Sequence, residues 1–153
     1  MKHGSDIIYS KGMQMEKEFI QHGTTSVYAH SVAVACFSLY LCKKLHLKVR
    51  ERELIRGALL HDYFLYDWHD PDPSHRLHGF HHANTALRNA ERDFELSDVE
   101  KDIIKKHMFP LNIRVPKYKE SVIVCMADKI CAVQEMITDH SVSTYAGVWQ
   151  RIS

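Results

Sequence analysis

Four places in the chain put a histidine or a carboxylate where the surrounding pattern calls for an apolar side chain. In SVYAHSVAVACFSLYL, His30 stands among Val27, Val34 and Phe37. In LIRGALLHDYF, His61 and Asp62 follow directly on an apolar helical run. In DVEKDIIKKHMFP, Val99, Ile103 and His107 recur at steps of four, so His107 shares the inward stripe of a helix. In ESVIVCMADKICAV, Asp128 and Lys129 are the only charges between Ser121 and Val133.

Each place taken alone has an ordinary structural explanation. A single histidine on an apolar face is commonly a core residue satisfied by a hydrogen bond, and His107 suits a helix C-terminus, where imidazolium meets the negative end of the dipole. Asp128 needs more, because an ionised carboxylate facing a dry core costs several kcal/mol unless a cation or metal pairs with it. Arg56 is the obvious structural partner; Lys129, next in sequence, lies about 100° away around a helix. Taken together, four helices turn nitrogen and carboxylate donors toward one interior, and a divalent metal would satisfy them at a single point. Imidazole with carboxylate suits Zn, Fe, Mn, Co or Ni better than Ca, whose ligands are oxygens. With positions left for water, such a centre is catalytic rather than structural.

The elements that must position these residues read as helices. A first is expected over about Ile7–Gln21, broken at Gly23; a second over about Ser26–Leu45, capped by Thr25 or Ser26; a third over about Val49–Leu60. A fourth is expected over about His82–Phe94, with Ala83, Ala86, Leu87 and Ala90 at helical spacing. SDVE (Ser97–Glu100) is a capping box that starts a fifth, stopped by Pro110. A sixth covers about Glu120–Thr138, and a short seventh is expected from Ser141. Strand signals are nearly absent. The expected fold is all-α, one compact domain of six to seven helices over residues 1–153, with the polar cluster in its core. DYFLYDWHDPDPSHRLHGF (Asp62–Phe80) has no periodicity, and loops of that length inside a domain tend to be functional.

The order His30, His61-Asp62, Asp128 resembles the HD superfamily of metal-dependent phosphohydrolases, named for its adjacent His-Asp pair. Its pattern is a histidine on an early helix, the dyad closing a later one and a distant aspartate on a final core helix. Here about thirty residues lead to the dyad and about sixty-five more to the aspartate, so the resemblance spans roughly Ser26–Glu135. Two-metal members add two histidines between them, and His82, four residues before Ala86, and His107 match those positions. His78 and His81 compete with His82. The resemblance thus implies one metal on His30, His61, Asp62 and Asp128, and a second on His82 and His107 with Asp62 bridging. LHGFHHANTALRNA, DIIKKHMFPL and ADK are also similar to a group of small bacterial HD proteins. Many HD enzymes carry a lysine three residues past the dyad aspartate; this chain has Leu65.

The implied reaction is hydrolysis of a phosphate ester or anhydride in a small nucleotide-like molecule, the alternative being an HD module that senses or regulates without turnover. Asp62 would orient the attacking water, Asp128 complete the metal shell and accept a proton, and Lys129, Arg76 or Lys106 put positive charge on the phosphoryl oxygens. Tyr63, Phe64, Tyr66 and Trp68 are expected to wall the pocket, and Asp67, His69, Asp70 and Asp72 to face solvent or cap helices, with His69 available as a proton shuttle.

The bulk composition removes other classes. Twenty basic residues stand against nineteen acidic ones, so no global field points to nucleic acid or an anionic membrane. The local RVPKYK run (Arg114–Lys119) is a weak exception. VAVACFSLYL, the longest apolar stretch, is far short of a membrane span, and the first residues hold no signal-like apolar core. A cytoplasmic protein is expected. Cys36, Cys42, Cys125 and Cys131 form no C-x-x-C pair and read as buried, reduced thiols.

Overall fold

Why the chain folds as it does is clearest at the caps. Ser26 accepts from Ala29 N–H at 3.2 Å and starts the long helix α3, Val27–Lys44. Ser97 and Glu100 close the expected capping box reciprocally and start α6, Asp98–Lys106. The structure is a computed structural model that describes residues 3–65 and 78–138. It further contains α1 (Ser5–Ile8), α2 (Lys11–Met15), α4 (Glu51–Leu60), α5 (His78–Asp93) and α7 (Lys119–Thr138), with two short strands, β1 (Ile20–His22) and β2 (Thr25–Ser26). The helix expected from Ser141 and the segment holding Tyr66, Asp67, Trp68, His69, Asp70, Asp72 and Arg76 lie outside the described residues.

The helical core is built on α4. It packs against α3 and α6, while α7 lies across α3 and α6 and α5 leans on α6. Leu54, Ile55, Ala58, Leu59 and Leu60 of α4 are almost fully buried and join Val34, Leu39, Ile103, Ile104 and Val124 in one cluster. Gly57 permits the approach of α4 to α6: a Cβ there would sit 2.5 Å from the Ile103 Cδ1 and 3.0 Å from its Cβ. Helix α3 ends in a Schellman motif, with Leu47 N–H on Cys42 O at 2.9 Å and His46 N–H on Lys43 O at 3.2 Å. His46 takes the left-handed position (φ 53°) that glycine usually fills.

The N-terminus departs from the expected single helix over Ile7–Gln21. Ser10 accepts from Met13 N–H and caps a new helix, so the run breaks at Tyr9–Ser10. Beyond Glu16 the chain becomes extended, and β1 pairs antiparallel with β2 around Gly23, whose φ is 54°. Residues 20–22 alternate exposed, buried and intermediate, the period of a strand. A helix-period reading of Ile7, Ile8, Met13 and Met15 could not anticipate that change.

Arg56 is not the partner of Asp128. Its Nε donates to Glu100 Oε1 at 2.7 Å and its guanidinium also pairs with Asp6, which ties α4 to α6 and α1. Lys106 is likewise spent elsewhere: it pairs with Asp102 at 2.5 Å, and Asp102 also accepts from Ser121 Oγ and Lys117 N–H, stapling α6 to the start of α7. All four cysteines are buried thiols outside any disulfide.

Candidate metal centre

Each of the residues in question enters the core from a different element. His30 sits one turn into α3, His61 and Asp62 follow the last turn of α4, His82 lies on α5, His107 ends α6 and Asp128 lies midway along α7. None is more than 8% exposed. Six ionisable side chains therefore share one buried interior. They form two groups, His30–His61–Asp128 and Asp62–His82–His107, in each of which the donor atoms lie within 4.8 Å of one another.

Asp62 stands between the groups. Its Oδ2 faces His61 Nε2 at 3.2 Å and His30 Nε2 at 3.8 Å, and its Oδ1 faces His82 Nε2 at 3.2 Å and His107 Nε2 at 3.3 Å. Asp128 Oδ1 lies 3.1 Å from His30 Nε2 and 3.6 Å from His61 Nε2. The other ring nitrogens of His30, His61 and His107 are committed. His61 Nδ1 donates to Ala58 O at 2.7 Å, His107 Nδ1 to Ile104 O at 2.8 Å, and His30 Nδ1 to Glu135 Oε2 at 2.9 Å. Because Nδ1 carries the hydrogen in each, Nε2 of the neutral ring turns its lone pair to the centre.

This donor set fits a divalent metal. Lone pairs of nitrogen and carboxylate oxygens face one another, and His61 Nε2 and Asp62 Oδ1 are buried without a hydrogen-bond partner. Only a cation between them, a proton or a metal ion, makes such a cluster stable. Helix-end carbonyls and a carboxylate on the far nitrogens are the usual orienting partners of metal-binding imidazoles. Without a metal, protons take that place. Burial pushes His30 down, but hydrogen bonds to Asp128 and Glu135 outweigh it and raise it to about 9. Burial likewise disfavours charged His61, yet Asp62 and Asp128 hold it well above its ordinary value. Both aspartates, despite burial, are held well below theirs, Asp62 first by His61 and Asp128 first by His30. Burial keeps His107 below the ordinary histidine value.

The cluster floors a pocket of about 650 Å³ to which Asp62, His82, His107 and Asp128 contribute. Its walls are Gln21 and His22 on one side and Met108, Pro110, Leu111, Lys129 and Ala132 on the other. Of the aromatics expected to wall the pocket, the two described residues, Tyr63 and Phe64, do not line it. Tyr63 and Phe64 are each 1% exposed, Tyr63 in the core with its hydroxyl on Asp93 and Phe64 edge-on to His82. Asn89 Nδ2 donates to the carbonyls of both, at 3.1 and 3.0 Å, holding their backbone with the side chains inward, and Leu65 follows in a left-handed conformation (φ 59°). Lys129 does line the pocket, but its Nζ is held by His107 O at 2.8 Å and by the Cys125 carbonyl and thiol at 3.3 and 3.2 Å. His78 and His81 lie in α5, with side chains outside the described set.

The family model described as HD domain matches residues 27–133. The chain belongs to the HD domain family. That family is one of metal-dependent phosphohydrolases, and the match runs from the first residue of α3 almost to the end of α7, enclosing all six core donors. No curated protein and no solved structure matches the chain. Among the described residues, no helix is long and apolar enough to cross a membrane.

Three residues that reach the HD centre lie outside that match and were missed in the sequence: Gln21, His22 and Glu135. Gln21 Nε2 donates to Asp62 Oδ2 at 2.6 Å, and His22 stands edge-on to His30 with ring centroids 5.4 Å apart. Glu135 was legible in principle, since it follows Asp128 by two helical turns and so shares its face. Gln21 and His22 carried no such signal, because the strand holding them was read as the end of a helix.

Proposed function

We propose that the protein is a metal-dependent phosphohydrolase that cleaves a phosphate ester or anhydride of a small, nucleotide-like molecule. The observation that carries this reading is the Asp62 carboxylate, whose two oxygens face two separate histidine groups at the floor of an open pocket. His30, His61, Asp62 and Asp128 would hold one divalent ion, and His82 and His107, with Asp62 shared, a second. Fe, Mn, Zn, Co and Ni all accept this donor set. When bound, such ions supply a Lewis acid for a phosphoryl oxygen and bring a coordinated water toward neutral pKa.

The protein's own residues do the rest. Asp62 orients the attacking water, and Asp128, through the carboxylate oxygen not turned to His30 and His61, accepts its proton. Lys129 sets a positive charge at the pocket wall, its ammonium pointed by the His107 and Cys125 carbonyls. Met108, Pro110, Leu111 and Ala132 give the substrate an apolar surface on which its non-phosphate part rests and excludes water.

A screen of phosphorylated metabolites, with metal content measured on the same preparation, tests the proposal. Turnover of a nucleotide-like phosphate that chelation abolishes and metal restores is the expected result. A protein that takes up metal but turns over none of them would be a sensing module instead, and one that takes up no metal refutes both readings.

A further inference from the structure

We infer that Gln21 is the positioning residue of the Asp62 carboxylate, fixing the tilt of its plane so that one oxygen faces each histidine group. The inference rests on the metal-centre reading above. Gln21 lies outside residues 27–133, so membership of the HD domain family assigns it nothing.

An ionised carboxylate only accepts hydrogen bonds, so the Gln21 atom 2.6 Å from Asp62 Oδ2 is the amide NH2, and the side-chain orientation is settled. Gln21 is 7% exposed and lines the pocket. Its other atom, Oε1, is buried with no hydrogen-bond partner among the described residues. A methionine of similar size would fill the same space without stranding an acceptor. What glutamine adds at this point is the donor to Asp62.

Asp62 needs such a donor because its carboxylate plane can otherwise turn about the Cβ–Cγ bond. Four imidazole nitrogens surround it at 3.2–3.8 Å, two beside each oxygen, and only a narrow range of tilt presents an oxygen to both groups at once. One N–H on Oδ2 holds that tilt and leaves Oδ1 to His82 and His107. The donor is also neutral. A lysine or arginine in its place would fix the carboxylate equally well but set a positive charge against the ion the cluster is built for. The amide is aimed by the β-hairpin: strand alternation turns Gln21 inward, and the Val27 N–H on Phe19 O at 2.9 Å ties the strand to the start of the helix that carries His30.

The test uses the full chain, cobalt(II) as the probe, and Gln21→Met, which keeps size and removes both polar atoms. Gln21→Ala is the second variant, should methionine fail to fold, with melting of the metal-free proteins as the fold control. Cobalt affinity is read by competition with a chelator, and coordination by the visible absorption of the ion. Loss of the donor is expected to weaken cobalt binding by about tenfold or more and to change the absorption envelope, while the metal-free melt stays close to wild type. A folded variant that matches wild type in both affinity and spectrum overturns the assignment of Gln21 alone. A wild-type chain that takes up no cobalt overturns the metal reading and this assignment together.

Discussion

His82 and His107, one on α5 and the other closing α6, bring their Nε2 atoms to 2.8 Å. His107 donates through Nδ1 to Ile104 O and burial favours its neutral form, so its Nε2 offers a lone pair. A hydrogen on His82 Nε2 joins the two rings in a hydrogen bond, and a metal ion in its place would take both nitrogens together with Asp62 Oδ1. His107→Ala is therefore expected to cut the metal content to about half, leaving the His30–His61–Asp128 group loaded. Elemental analysis of variant and parent, after equal reconstitution, reads this directly. Equal metal content would argue against a second ion on the His82 side.

Glu135 accepts from His30 Nδ1 at 2.9 Å and lies beside His22 as well. Glu135→Gln is expected to weaken metal binding by about 10–100-fold, the usual effect of losing a carboxylate behind a metal-binding imidazole. Chelator competition measures it. An unchanged affinity would make Glu135 a counter-charge for the metal-free protein only.

The pH dependence has opposite signs with and without metal. His30 is raised from 6.5 to about 9 by Asp128 and Glu135, against burial. A raised histidine stabilises the fold fully below its unfolded value near 6.5 and loses that contribution as pH rises through about 9. The metal-free protein should accordingly melt lower as pH climbs across that window. Metal must displace the proton on Nε2, so its affinity should rise over the same window. The gap in Tm between loaded and metal-free protein should widen from pH 6.5 to 9, a trend that two series of thermal melts would reveal or exclude.

Gly57→Ala should destabilise the protein by about 1–3 kcal/mol, because the added methyl meets the Ile103 side chain at both its Cδ1 and its Cβ and the helices must part. Denaturant melts at constant m-value would measure it. Unchanged stability would mean that α4 and α6 separate freely.

His46→Gly should do the reverse. The exposed His46 holds a left-handed position at the end of α3, and glycine removes a strain of about 1 kcal/mol, less its own greater unfolded freedom. A net gain of about 0.5 kcal/mol, seen as a small rise in Tm, is expected.

The sequence was most legible where polar residues broke an apolar helical pattern. His30, His107 and Asp128 could be recognised because a helix assigns each position a face, and a charge on the wrong face has few explanations. The start of α6 was equally plain, since Ser97 and Glu100 declare a cap by chemistry alone. Legibility failed where local signal and tertiary packing diverge. Tyr63 and Phe64 looked like pocket aromatics from their nearness to the dyad, but Asn89, about 25 residues on, turns them into the core. The β1 strand is three residues long, too short for a period of two to show, so Gln21 and His22 went unread.

The bond between His30 and Glu135 spans 105 residues, and that from His30 to Asp128 spans 98. Closing loops of that size is an entropic cost paid before any of the local helices gains from it. The His30–His61–Asp128 group therefore cannot form early: a nascent chain lacking α7 has neither Asp128 nor Glu135 to offer, however well α3 and α4 have paired. Ion uptake by that group requires α3, α4 and α7 to be assembled together, which makes it a report on the joined ends of the chain and a selective brake on their separation.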